Sequence, residues 1–161
     1  PSRIVESVVA VNDVRKRGMA QRIIRAMGGA VAGKTVALLG TTFKPNTDDM
    51  RDSPSLDIVP ALQAAGATIR AYDPEGMAEA QKLLNDVVWC DDAYQAIEGA
   101  DALAIVTEWN QFRGLDLERV RGLLKSPLFI DLRNIYAPEE MAGAGFDYHS
   151  IGRVAQLSET P

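Results

Sequence analysis

At 161 residues, 47% of them hydrophobic and 24% charged, the chain has material for one compact domain with a real core and one extra element, which excludes two complete domains. The 17 basic against 22 acidic residues leave a formal charge of −5, excluding a sequence-independent attraction to nucleic acid or anionic lipid; any phosphate must be held by a few placed cations. The single cysteine, Cys90, excludes an internal disulfide framework, and the expected address is the reducing cytoplasm.

No apolar run approaches the roughly 18 residues of a membrane span, and the amino end lacks the apolar core of a secretory signal. Because Pro1 stands where an initiating methionine would, and a helical pattern starts within a few residues, the chain is expected to come from a longer protein. From Ser2 to Met27 the apolar residues Ile4, Val8, Val11, Met19, Ile23 and Met27 recur at helical spacing. One long amphipathic helix is predicted, ended by Gly28 and Gly29. At about twice the ordinary length, such a helix is expected to serve an interdomain or dimer contact.

Beyond Gly33, short apolar runs alternate with amphipathic stretches. A buried strand is predicted over Lys34 to Gly40, then a long polar loop, then a helix over Pro54 to Ala65 with Ser53 as its cap and Gly66 closing it. Strands follow over Ala67 to Asp73, Val87 to Cys90, Ala102 to Thr107 and Leu128 to Asp131, with a sixth over Phe146 to Ser150. Helices between them are predicted over Met77 to Leu84, from Asp91 or Asp92 through Ile97, and over Leu115 to Leu124. The alternation predicts a doubly wound, Rossmann-like α/β fold, a parallel sheet with helices on both faces, whose ligand crevice lies at the carboxyl ends of the strands. Residues 155 to 161 carry no periodic pattern and are expected to form a tail.

The loop after the first strand, GTTFKPNTDDMRDSPS, has one glycine where a dinucleotide fingerprint needs three. It offers Lys44 and Arg51 as cations, Phe43 as a flat apolar surface, and backbone donors at the start of the next helix, the parts of a diphosphate clamp. A solvated cluster in which Lys44 and Arg51 neutralise Asp48, Asp49 and Asp52 is the alternative, and two cations in the segment argue against a metal. Asp73 sits where a Rossmann domain keeps its ribose acid, but turn formation with Pro74 explains it equally well. Thr107 to Arg113 and Asp131 to Tyr136 open into the same crevice, so Arg133 can join Lys44 around an anion, or pair with Asp131. Trp109 and Phe112 are expected to cover the edge of the sheet. Cys90 and His149 have no partner in sequence for nucleophilic or acid–base work.

Taken in order, GTTFKPNTDDMRDSPSL, YDPE, ALAIVTEWNQFRGLDL, DLRNIY and YHSIGR together resemble the carboxy-terminal domain of the UDP-glucose and GDP-mannose 6-dehydrogenase family, most closely its UDP-glucose branch. VNDVRKRGMAQRII resembles the end of that family's central dimerisation helix. The resemblance implies residues 1–29 as that helix end, 33–154 as a nucleotide-sugar (UDP)-binding domain and 155–161 as a tail. It implies an enzyme whose amino-terminal domain binds NAD, whose central domain carries a catalytic cysteine, and which oxidises the C6 alcohol of the UDP-sugar substrate to a carboxylate in two hydride transfers. By the same resemblance Phe43, Lys44 and Arg133 are substrate contacts and Arg51 reaches across the cleft towards NAD. The NAD fingerprint and the cysteine motif are absent, so no catalytic residue and no metal are assigned here. The expected partners are the UDP-sugar, the amino-terminal NAD domain and a second copy through the long helix, with neither nucleic acid nor membrane. UDP-N-acetylmannosamine and GDP-mannose dehydrogenases, or a stand-alone nucleotide-sugar-binding module, are the alternatives.

Overall fold

The computed structural model describes residues 3–152, so the expected tail over 155–161 lies outside the described residues. Its centre is the strand β1 (Thr35–Leu39), whose last four residues are buried because both faces of the sheet are covered. On either side run β2 (Thr68–Tyr72), β3 (Val87–Trp89), β4 (Ala102–Ile105), β5 (Leu128–Asp131) and β6 (Asp147–Ser150) in the spatial order β3-β2-β1-β4-β5-β6. Every pairing is parallel. Between β1 and β4 the chain reverses its direction of travel across the sheet, the switch point near which folds of this kind bind their ligands.

Strand periodicity divides the core in two. Val36 and Leu38 face one side with Ile69, Ile58, Leu62 and Ile23. Ala37 and Leu39 face the other with Leu103, Ile105, Ile97, Phe112 and Phe129. The first side is covered by α1 (Arg3–Ala26) and α2 (Ser55–Ala64), the second by α4 (Ala93–Ile97), α5 (Leu117–Leu123) and α6 (Pro138–Gly143). Each fully buried Leu or Ile contributes about 1.5–3 kcal/mol relative to exposure, so these two layers are the main source of stability. A short α3 (Met77–Gln81) connects β2 to β3.

The long helix divides along its length. Met19, Ile23 and Met27 pack against the domain, and Gly28 and Gly29 end the helix with φ of 88° each. By contrast Ile4, Val8 and Val11, read as the same apolar face, are exposed. The reason is position along the helix: Met19, Ile23 and Met27 lie over the domain, while residues 3–15 are exposed on every face, Val9 included at 53%.

Other boundaries moved for local reasons. Of the two candidate caps for α4 it is Asp92, which accepts from Gln95 N at 2.8 Å, and Asp116 caps α5 by accepting from Arg119 N at 3.1 Å. Ser53 caps α2 as expected: Pro54 already has helical φ and ψ, and the Ser53 hydroxyl accepts from Ser55 N at 3.3 Å while donating to the Thr41 carbonyl. Two elements were not anticipated, the 3-10 turn Asn110–Gly114 and α6; both are too short for a periodic signal, although Pro138 at the first position of α6 is a start signal.

Candidate functional site

The crevice is shaped by backbone constraints at the strand ends. Gly40 leaves β1 with φ +87°, and a Cβ there would lie 2.4 Å from Thr107 Cβ, so only glycine lets the loops after β1 and β4 approach this closely. Thr107 then donates its hydroxyl to the Thr42 carbonyl at 2.7 Å. Thr41 and Thr42 themselves are anchored by Asp73, a fully buried carboxylate at the end of β2. Asp73 Oδ2 accepts from Thr41 N at 2.8 Å, Thr42 N and Thr42 Oγ1 at 3.2 Å, and Trp109 Nε1 at 3.2 Å. Its Oδ1 accepts from Glu75 N at 3.0 Å and Gly76 N at 2.7 Å. The turn role and a loop-pinning role share one residue, and both oxygens are spent on internal donors.

A second buried carboxylate does the same after β5. Asp131 accepts from the backbone N–H groups of Arg133, Ile135 and Tyr136 at 2.9–3.1 Å and from the Tyr148 hydroxyl at 2.6 Å. Beside it, burial pushes the Tyr136 phenol up to about 12, keeping a neutral hydroxyl that donates to the Phe112 carbonyl. Asn134 adopts φ 55° and exchanges two side-chain bonds with the backbone of Ile151, at 2.8 and 2.9 Å. The Arg133 turn is therefore rigid on both sides.

Between α1 and these two loops lies a cavity of about 530 Å³, within the range of small-molecule sites. Phe43 and Arg133 both line it, with Asn12, Arg15, Lys16 and Met19 of α1 opposite. The first loop and the β5 turn thus come together as expected, and α1, expected to serve an interdomain or dimer contact, supplies a wall of the cavity. Phe43 is 46% exposed, a large apolar side chain held at the cavity. Lys44 is exposed beside it and is not among the lining residues; its carbonyl accepts from Thr42 Oγ1 at 3.1 Å.

Arg133 does not pair with Asp131 through its side chain. Its Nε lies 2.5 Å from Glu108 Oε2, a residue sequence reasoning passed over between Thr107 and Trp109. Arg51 lies outside the cavity, its side chain 88% exposed, in a two-point contact with Asp49 at 3.0 Å each. That hydrogen-bonded guanidinium holds the Asp49 carboxyl down to about 2. The solvated-cluster alternative describes Arg51 in this structure, and the exposed Lys44 also lowers the Asp49 carboxyl by its charge. The expected free donors at the start of α2 are also taken, since Ser55 N, Leu56 N and Asp57 N bond Ser53 Oγ, Ser53 O and Pro54 O.

Trp109 and Phe112 roof the strand ends rather than an edge of the sheet. Phe112 packs edge-on against Tyr72 at 6.2 Å, and Trp109 is tied to Asp73. Burial pushes the Cys90 thiol up and the His149 imidazole down, the latter opposed by Asp147; a thiol held neutral is a poor nucleophile. Among the described residues no three potential ligands gather around a metal position, and no helix is long and apolar enough to cross a membrane.

Comparison with known proteins gives these features a context. Residues 37–138 match the model of the UDP-glucose/GDP-mannose dehydrogenase family, UDP binding domain. The chain is 56% identical over 153 residues to a UDP-glucose 6-dehydrogenase of Rhizobium meliloti, covering 95% of this chain and 35% of that protein. It is 41% identical over 162 residues to the UDP-glucose 6-dehydrogenase TuaD of Bacillus subtilis, again over 35% of the relative. Among solved structures, a UDP-glucose dehydrogenase from Pyrobaculum islandicum superposes with a TM-score of 0.68 at 30% identity, covering 78% of this chain and 28% of that one. The chain spans about a third of the length of these relatives. With a match of this extent, the chain belongs to the UDP-glucose/GDP-mannose dehydrogenase family and carries that family's UDP binding domain.

Proposed function

We propose that this chain is the UDP-sugar-binding part of a UDP-glucose 6-dehydrogenase, the enzyme that oxidises the C6 alcohol of UDP-glucose to UDP-glucuronate in two NAD-dependent steps. The observation that carries the reading is the cavity where Phe43 and Arg133, from loops 90 residues apart in sequence, meet under α1. A guanidinium for phosphate and a flat ring at the same opening suit a nucleoside diphosphate. Lys44, one residue from Phe43, adds a cation at the rim that reaches a ligand extending beyond the lining residues. NAD is bound elsewhere: this chain has a single glycine in its first loop, and Asp73, at the position of a ribose-binding acid, has no oxygen left for a ribose. Arg51 contributes to NAD only by giving up Asp49 when the cleft closes. The oxidation itself, with its cysteine nucleophile, belongs to residues outside this chain, which acts in the cytoplasm and pairs with a second copy through α1.

Calorimetric titration of the natural-length protein with UDP, UDP-glucose, UDP-N-acetylmannosamine and GDP-mannose tests the reading. Binding of UDP and UDP-glucose that is lost in Arg133→Ala supports it. Preference for GDP-mannose or UDP-N-acetylmannosamine moves the assignment to those dehydrogenases, and no binding of any of the four removes it.

A further inference from the structure

The contact between Glu108 and Arg133 has no role in the proposed binding, and at first sight it opposes it, because a carboxylate beside the arginine weakens the field that an anion meets. Its geometry suggests a different use. Glu108 Oε2 is buried, and among the described residues its one ion-pair partner is Arg133, whose Nε lies 2.5 Å away outside hydrogen-bond geometry. A guanidinium offers five N–H groups in a rigid plane. A carboxylate held against Nε by charge restricts the rotation of that plane, and Arg133 lines the cavity.

Both partners stand on fixed supports. Glu108 lies between Thr107, whose hydroxyl is bonded to the Thr42 carbonyl, and Trp109, whose indole is bonded to Asp73. Arg133 is held through its backbone by Asp131, and its neighbour Asn134 is locked to Ile151. Glu108 and Arg133 side chains retain 23% and 34% of their exposure, so the pair sits at the boundary of the cavity, where its value as a stabilising ion pair is small. An arginine free to rotate loses rotamer entropy each time it binds; one already oriented does not.

We propose that Glu108 is a positioning residue, which orients the Arg133 guanidinium so that its terminal edge meets the phosphates of a nucleoside diphosphate. The assignment rests on the reading of the cavity as the UDP site. In the natural-length protein titrated with UDP, Glu108→Ala weakens binding about tenfold, while Glu108→Gln, which keeps an oxygen for Nε, stays within about threefold. In an Arg133→Ala background, Glu108→Ala has no further effect, because its action passes through the arginine. A merely structural glutamate would cost the same in both backgrounds, and that result overturns the assignment. Unchanged or tighter binding in Glu108→Ala overturns it too, since removal of the opposing charge would then be the larger effect. Arg133→Ala that binds UDP like the wild type is a separate outcome: it sinks the cavity as the UDP site, and this inference with it. Thermal unfolding of each variant identifies any that fails to fold, and Glu108→Ser, which also gives up the contact with Nε, carries the same test if Glu108→Ala does.

Discussion

Asp73 is the residue on which most of the crevice depends. Five N–H groups converge on its carboxylate, with the Thr42 hydroxyl, whose one hydrogen is shared with the Lys44 carbonyl, beside them, and truncation leaves several of them buried without a partner, each costing about 1–3 kcal/mol. Asp73→Ala is expected to lower stability by about 3 kcal/mol or more, read from the denaturant midpoint, and to loosen the loop that carries Phe43 and Lys44. Lys44 and Arg51 present a contrast of function rather than stability. Lys44→Ala is expected to weaken UDP-sugar binding about tenfold or more, the usual range for a cation bonded to an anionic ligand, whereas Arg51→Ala leaves UDP affinity intact and weakens NAD. Equal losses for both variants in titrations with each ligand would return Lys44 to the solvated charge cluster.

His149 supplies a pH dependence whose sign follows from burial. Its folded pKa lies below the unfolded value of 6.5, so the unfolded chain takes up the proton first. The stability tied to the neutral imidazole is complete above pH 6.5 and falls as the pH drops towards the folded pKa. Thermal midpoints measured at pH 7.5 and 5.5 are expected to fall further for the wild type than for His149→Gln; equal falls would show that other groups account for the acid loss.

At the scale of elements, two glycines separate constraint from convenience. Gly40, with φ +87° and no room for a Cβ beside Thr107, makes the β1 loop possible, and Gly40→Ala is expected to cost about 2 kcal/mol or more. Gly122, inside α5 with open space around it, is expected to gain about 0.5–1 kcal/mol on change to Ala, from helix propensity alone. Chemical denaturation of the two variants reads both signs in one experiment. The strands were legible in sequence because a parallel strand buried on both faces is a short apolar run, and ALAI and LFID are that. Helix ends were less so. Ser53 reads as a cap by residue type and accepts from Ser55 N, but only the nearness of Thr41 in space gives its hydroxyl hydrogen a partner.

For the whole molecule, the unpartnered part is the amino-terminal half of α1. Ile4, Val8 and Val11 are 76%, 54% and 65% exposed on one stripe, more apolar surface than an isolated helix keeps in water without a partner. A symmetric contact between two copies is the commonest solution. Light scattering of the natural-length protein is expected to give a dimer or larger, and Val8→Asp combined with Val11→Asp to shift it towards monomer; a monomeric wild type would refute the contact.

The sequence by itself determined the architecture, the order of the strands and of every helix but α6 and the 3-10 turn, the family and the two loops that meet at the cavity, because periodicity and motif are local properties carried by neighbouring residues. It also brought forward Phe43, Lys44, Arg51 and Arg133 as candidates, since residue type and motif position mark them. Only the tertiary structure decided how they divide: Phe43 and Arg133 share a cavity, Lys44 is not among its lining residues, and Arg51 is held by Asp49 in solvent. It alone paired Arg133 with Glu108, 25 positions away, and turned Asp73 inwards on Thr41, Thr42 and Trp109. Those partnerships depend on where β1, β2, β4 and β5 end relative to one another, a distance in space that arises only when the sheet is assembled.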